Sequence, residues 1–182
     1  GSSAGYSSAN RTSLPTLGGM DVRATDLDAD GWIDLVFANY RTDDEWAIDS
    51  SIYWGSGHGY DVTDRTDLPT EGARAIAVED LDRDGYQDLV FCGLQATASD
   101  YEATSPVYWG SASGYSAADT TALASVGCRD VATGDLNGDG WPEIVFANYY
   151  DGSYARDSYV YWGSASGYSD HYRTDLPTIG AI

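Results

Sequence analysis

Three stretches of the chain place oxygen donors at alternate residues of a short, glycine-bearing loop. DLDADGWID sets carboxylates at Asp26, Asp28, Asp30 and Asp34, its first, third, fifth and ninth positions. The second loop repeats this with Asp80, Asp82, Asp84 and Asp88, and the third with Asp135, Asn137, Asp139 and Glu143. The backbone carbonyl at position seven (Trp32, Tyr86 or Trp141) offers a further oxygen, and Gly31, Gly85 or Gly140 permits the sharp turn before it. Calcium takes six to eight hard oxygens at about 2.3–2.6 Å, so the expectation is about three Ca2+ per chain. An EF-hand loop begins in the same way but needs a bidentate Glu at position twelve and flanking helices. Position twelve here is Phe37, Phe91 or Phe146, and the flanks read as strands. Bare Asp-Gly turns on an acidic surface would explain one such loop better than three with the same spacing.

The loops recur because the whole chain repeats. Asp26, Asp80 and Asp135 open equivalent runs, Tyr-Trp-Gly returns at Tyr53, Tyr108 and Tyr161, and RTSLPT at Arg11 returns as RTDLPT at Arg65 and Arg173. Each unit reads as four short strands. The first carries Val22 and Ala24 on one face, and the second runs from Ile33 to Tyr40, apolar on both faces. The third ends in Tyr-Trp-Gly, and the fourth runs from Tyr60, Tyr115 or Tyr168 to Leu68, Leu123 or Leu176. The fold class is all-β: three four-stranded antiparallel β-propeller blades, with the closed ring completed by oligomerisation. The expected boundaries are an extra outer-strand segment of a preceding blade at 1–16, blades at 17–70, 71–125 and 126–178, and the start of a next repeat at 179–182.

The Asp-rich loop, followed by Asp-Leu-Val-Phe-Ala-Asn, Val-Tyr-Trp-Gly and Gly-Tyr, resembles the FG-GAP/VCBS repeat. That repeat builds the calcium-bearing propellers of integrin α-chains, several fungal lectins and many bacterial surface proteins. The resemblance implies propeller blades, structural calcium and an extracellular or cell-surface setting. It departs from the family where FG-GAP would be spelled, since those positions read Phe-Ala-Asn-Tyr or Phe-Cys-Gly-Leu.

Composition narrows the function. The 182 residues carry 29 acidic and 9 basic side chains, all nine of them arginine, for a net charge of -20. Such a surface repels nucleic acid and anionic membrane, and three divalent cations leave it strongly negative. No apolar run approaches the roughly 18 residues of a membrane helix, which argues against membrane insertion. Catalysis finds little support: His58 and His171 have no repeat partners, and GSASG carries Ala112 where a hydrolase elbow needs serine. Ligand contacts are expected where the loops between second and third strands emerge, at Asn39, Tyr40, Trp46, Tyr101, Asn148, Tyr149 and Tyr154, opposite the Asp loops. Trp54, Trp109 and Trp162 recur and read as packing residues. Cys92 and Cys128 read equally as a disulfide or as two buried thiols.

The function read from these features is a non-catalytic extracellular calcium-binding module for ligand binding or adhesion. A carbohydrate-binding lectin is the alternative, and a structural scaffold or an assembling propeller fragment the third reading. The expected partners are a glycan or protein ligand, and either a second copy closing a six-bladed ring or further blades of a longer propeller.

Overall fold

The computed structural model of the chain describes residues 8–181. Twelve strands form three four-stranded sheets, each an antiparallel meander paired in chain order. Blade 1 holds β1 (Gly19–Thr25), β2 (Asp34–Asn39), β3 (Ala47–Tyr53) and β4 (Arg65–Glu71). Blade 2 holds β5 (Ala73–Glu79), β6 (Asp88–Gly93), β7 (Thr104–Tyr108) and β8 (Thr120–Ala124). Blade 3 holds β9 (Cys128–Gly134), β10 (Glu143–Asn148), β11 (Ser158–Tyr161) and β12 (Arg173–Leu176). The blade-like repeats form an open stack, consistent with part of a propeller.

Side chains alternate across each strand, so every sheet has two apolar faces and needs a neighbour on each. Between blades 1 and 2 the core joins Val36, Ala38, Ile52 and Leu68 to Ile76, Leu89, Phe91 and Tyr108. Between blades 2 and 3, Val90, Cys92, Val107 and Leu123 meet Val131, Ile144, Phe146 and Tyr161. The middle blade shows the consequence: all six residues of β6 are buried. Each phenylalanine meets its blade's tyrosine edge-on, with ring centroids 5.9, 5.9 and 5.8 Å apart. Trp54 stacks on Tyr115 and Trp109 on Tyr168, so these tryptophans do pack between blades.

Two strand expectations need correction. The fourth strands begin at Arg65, Thr120 and Arg173, about five residues after the tyrosine that was read as their start. Those tyrosines serve as pins instead. The hydroxyls of Tyr60, Tyr115 and Tyr168 donate to the carbonyls of Ile33, Gln87 and Pro142, which keeps the preceding turn out of the ladder. The front segment also forms no strand in its described part: Ser8–Asn10 is one 3-10 turn and residues 11–16 carry no regular secondary structure. An outer strand pairs with the third strand of its own blade, and no such partner lies beside this segment among the described residues. Tyr6 and Ile182 lie outside the described residues.

The front segment nevertheless takes an outer strand's place against blade 1. Tyr53 donates its hydroxyl to the Pro15 carbonyl at 2.5 Å, as Tyr108 does to Pro69 at 2.5 Å and Tyr161 to Ala124 at 2.8 Å. The carbonyls of Gly18, Gly72 and Gly127, all at positive φ, accept the amides of Tyr40, Leu94 and Tyr149. A Cβ at Gly72 or Gly127 would run into the backbone of Gln95 or Tyr150.

Cys92 in β6 and Cys128 in β9 form a disulfide that ties blade 2 to blade 3 across 36 residues of sequence. A bridge closing a loop of this size stabilises by roughly 2–4 kcal/mol. Reduction, or the Cys92→Ala/Cys128→Ala pair, is expected to lower the unfolding free energy by about that much in a denaturant titration. A midpoint unchanged by reduction would contradict it.

Candidate metal centre

Each Asp loop joins the first and second strands of its blade, and its ninth residue opens the second strand. That residue is buried and anchors the loop. Asp34, 1 % exposed, accepts the Leu27 amide at 2.8 Å on one oxygen and the Gly55 amide at 2.7 Å on the other. Asp88 is held in the same way by Leu81 at 2.8 Å and Gly110 at 2.7 Å. The loop therefore locks to the turn between third and fourth strands, at one end of the blade. Within the loop, Asp26 accepts the amides of Asp30 and Gly31, and Asp80 accepts that of Gly85. Gly31, Gly85 and Gly140 all sit at φ near +90°, the conformation the sequence pattern required of them. Ala29 and Arg83 also adopt positive φ, with Gly138 at the matching place in loop three.

These backbone constraints make the carboxylates converge. One oxygen from each of Asp26, Asp28 and Asp34 lies within 4.8 Å of the other two, and Asp80, Asp82 and Asp88 form the same triad. Asp30 and Asp84 stand outside the triads, each accepting the amide two residues ahead, from Trp32 or Tyr86, at 2.8 Å. In the third loop Asn137 breaks the triad of carboxylates, and its amide nitrogen donates to Asp139 at 2.9 Å. Glu143 accepts the Leu136 amide at 2.6 Å with one oxygen, while the other is buried without a partner.

Packed anions without a counter-charge raise one another's proton affinity. Burial, reinforced by Asp82 and Asp84, pushes Asp88 up to about 6 despite its two amide bonds. Asp34 and Asp82 are raised for the same first reason, with neighbouring loop carboxylates adding to it. No ion pair among the described residues uses a loop carboxylate; the arginines pair elsewhere, as Arg23 does with Asp21 and Arg173 with Asp175. Arg83 lies instead over the Trp141 ring, 5.3 Å from its centroid, linking loops two and three. Converging oxygens, the orphaned buried oxygens of Asp80 and Glu143, and the absence of any ion pair to a loop carboxylate among the described residues fit a hard divalent cation. The acidic clusters can hold a metal ion.

The FG-GAP-like repeat matches residues 26–91 and the FG-GAP repeat residues 129–161, together more than half of the chain. The chain belongs to the FG-GAP repeat family. No curated protein matches it. In this FG-GAP chain the matched segments contain all three Asp loops, the whole of β2 and β10, and the first four residues of β6.

At the opposite end of the blades, the connections between second and third strands meet those leading to the next blade. The carbonyls of Trp46, Tyr101 and Tyr154 accept the amides of Gly72, Gly127 and Gly180 at 2.7 Å. The three aromatics singled out in the sequence thus share a backbone role, and their rings differ. Tyr101, Tyr149 and Tyr154 gather with Tyr150, with centroid separations of 4.9–5.3 Å for the Tyr101–Tyr150, Tyr149–Tyr154 and Tyr150–Tyr154 pairs. Arg129 lies 4.4 Å over the Tyr149 ring. Tyr40 and Trp46 form a separate group around Arg41. Asn39 and Asn148 are not offered to a ligand: at 1 % and 0 % exposure, their side chains bond to the Asp49 and Asp157 carbonyls at 2.8 Å. Sequence reasoning missed Tyr150 and Arg129; the adjacent Tyr149–Tyr150 pair was the available signal.

The raised Asp88 carboxyl has a measurable consequence in chelator. The native state keeps its proton to about pH 6 while the unfolded chain releases it near the usual carboxylate range. Its stability contribution is thus present at low pH and lost as pH rises through 6. Melting temperature in EDTA is expected to fall between pH 5 and pH 7.5, and Asp88→Asn to flatten that slope. Equal slopes would refute the assignment.

Proposed function

We propose that the chain is a non-catalytic extracellular binding or adhesion module in which each Asp loop holds one calcium ion as a structural staple. Asp26, Asp28, Asp30 and Asp34 with the Trp32 carbonyl would hold the first. Asp80, Asp82, Asp84 and Asp88 with the Tyr86 carbonyl would hold the second, and Asp135, Asn137, Asp139 and Glu143 with the Trp141 carbonyl the third. The observation that carries this reading is the convergence of three carboxylates in each of the first two loops, one of them buried, with no ion pair to balance them among the described residues. The Cys92–Cys128 disulfide supports an oxidising compartment, and calcium loops of this kind suit a calcium-rich exterior. No helix among the described residues is long and apolar enough to cross a membrane.

Calcium's role here is to neutralise the loops and fix their connection to the strands. The amide bonds of Asp34 and Asp88 already tie them to the third-to-fourth-strand turns, so a bound cation would brace two connections of a blade at once. The ligand would meet the other end, at the tyrosine cluster and the Tyr40–Trp46 group. A lectin is the reading that the cluster favours second, because clustered phenol rings suit stacking on sugar faces, and Tyr154 is 53 % exposed.

Melting with EDTA and with millimolar calcium tests the staple. One site saturated at about 100 times its Kd adds about 2.7 kcal/mol, or roughly 5–10 °C for a chain of this size. Identical melting temperatures would sink the calcium reading. For the ligand face, a glycan array separates the readings: a hit that Tyr154→Ala weakens at unchanged melting temperature favours the lectin, and a blank leaves adhesion or a scaffold. A hit insensitive to Tyr154 and the neighbouring tyrosines would move the site elsewhere.

A further inference from the structure

Arginine is scarce in a chain of net charge -20, and most of it is spent on carboxylates or aromatic rings. Arg23, Arg65, Arg156 and Arg173 form ion pairs, Arg83 lies over Trp141 and Arg41 over Trp46. Arg74 and Arg129 form no ion pair among the described residues. They share one repeat position, two residues after Gly72 and Gly127, and Met20 is their counterpart in blade 1. That position is a β-bulge in all three blades. Gly19 and Asp21, Ala73 and Ala75, and Cys128 and Asp130 each face consecutive residues of the second strand, so the residue between them has no ladder partner. A bulge re-aims the side chain it carries. Met20 shows that this bulge accepts an uncharged residue, so the backbone does not call for arginine there.

The bulges lie at the end of the first strands remote from the Asp loops, and β5 packs against both β1 and β9. Arg74 therefore has a blade on each side, and neither supplies an ion-pair partner among the described residues. Its Nη1 lies 3.7 Å from the Met20 sulfur, a weak acceptor. Burial and the charge of Arg129 push the Arg74 guanidinium below the usual arginine range, with the Tyr40 phenol acting the other way. Arg129 in turn stands 4.4 Å over the Tyr149 ring, whose edge-on neighbour is Tyr154. Two like charges held together, partly out of water, destabilise the fold on their own, and an anion between them relieves the repulsion. We infer that Arg74 and Arg129 form a subsite for a single carboxylate, that of a uronic-acid sugar. This rests on the reading that the ligand meets this end of the blades. A guanidinium fork matches the two oxygens of a carboxylate. The tyrosines beside Arg129 suit the apolar face of the same sugar, and the strongly negative chain disfavours a densely charged sulfated one.

The test applies the full, disulfide-bonded chain in millimolar calcium to an array of oligosaccharides ending in glucuronate or galacturonate. Their neutral and sulfated counterparts and acidic peptides stand beside them, and dissociation constants are then measured for the bound probes. A uronate-ended sugar is expected to bind roughly 10- to 100-fold more tightly than its neutral counterpart, the range of charge-assisted hydrogen bonds. Arg74→Met and Arg129→Gln are each expected to reduce that preference while leaving affinity for the neutral sugar unchanged. Arg74→Met copies the residue of blade 1, and its melting temperature without sugar is expected to be unchanged or higher. A lower one would make the arginine structural and overturn the subsite. So would an acid preference that survives both substitutions, tighter binding of the sulfated sugar or the peptide, or no sugar binding at all. Equal affinity for acidic and neutral sugars, both still weakened by Tyr154→Ala, would strike the arginine subsite alone. Sugar binding that none of these substitutions alters would strike the placement of the ligand at this end.

Discussion

The buried carboxylate at the head of each second strand is the point on which the blade and its metal loop both depend. Asp34 and Asp88 spend both oxygens on amides from two separate connections, one in their own loop and one in the turn between third and fourth strands. Such bonds repay part of the cost of burying an anion, but only part, as the upward displacement of the Asp88 carboxyl indicates. The residue that positions the loop is therefore also the residue most in need of a nearby positive charge. Structure and cation affinity come from the same atom pair.

Loop three shows what one methylene does to that arrangement. Glu143 reaches the Leu136 amide with one oxygen, and its second oxygen is left buried without a partner. Asn137 also removes one charge from the loop, so the third site has fewer anionic donors than the first two. A divalent cation bound there would meet weaker electrostatic attraction.

Above the loops, the blades are held by a second constraint: a sheet apolar on both faces cannot stand alone in water. Blade 2 meets it from both sides, and the disulfide reinforces one of those contacts. The recurring geometry of Tyr53, Tyr108 and Tyr161, which reach a carbonyl of the front segment, of β4 and of β8 in turn, makes each blade interlock with the element before it at defined register. Rigidity at the loop end leaves the opposite end free to vary, and the tyrosine cluster there is confined to the side of blades 2 and 3 while blade 1 carries Arg41, Tyr40 and Trp46.

The residues alone determined the repeat, the all-β class and the oxygen pattern of the loops, because period-two burial and alternate-position ligands are local properties that a linear chain displays openly. The packing role of the recurrent tryptophans was legible for the same reason, since Trp54 and Trp109, at one repeat position, each meet the equivalent tyrosine of the blade that follows. Tertiary structure alone decided the rest. The tyrosines at 60, 115 and 168 look like strand residues until a carbonyl across the blade is seen to hold them out of the ladder. Asn39 and Asn148 look like surface ligands until their amides are found inside, paired to backbone. Whether two cysteines 36 residues apart are bonded depends on how β6 and β9 lie against each other, and which faces stay open depends on which blades have neighbours. These are non-local distances, and no spacing along the chain specifies them.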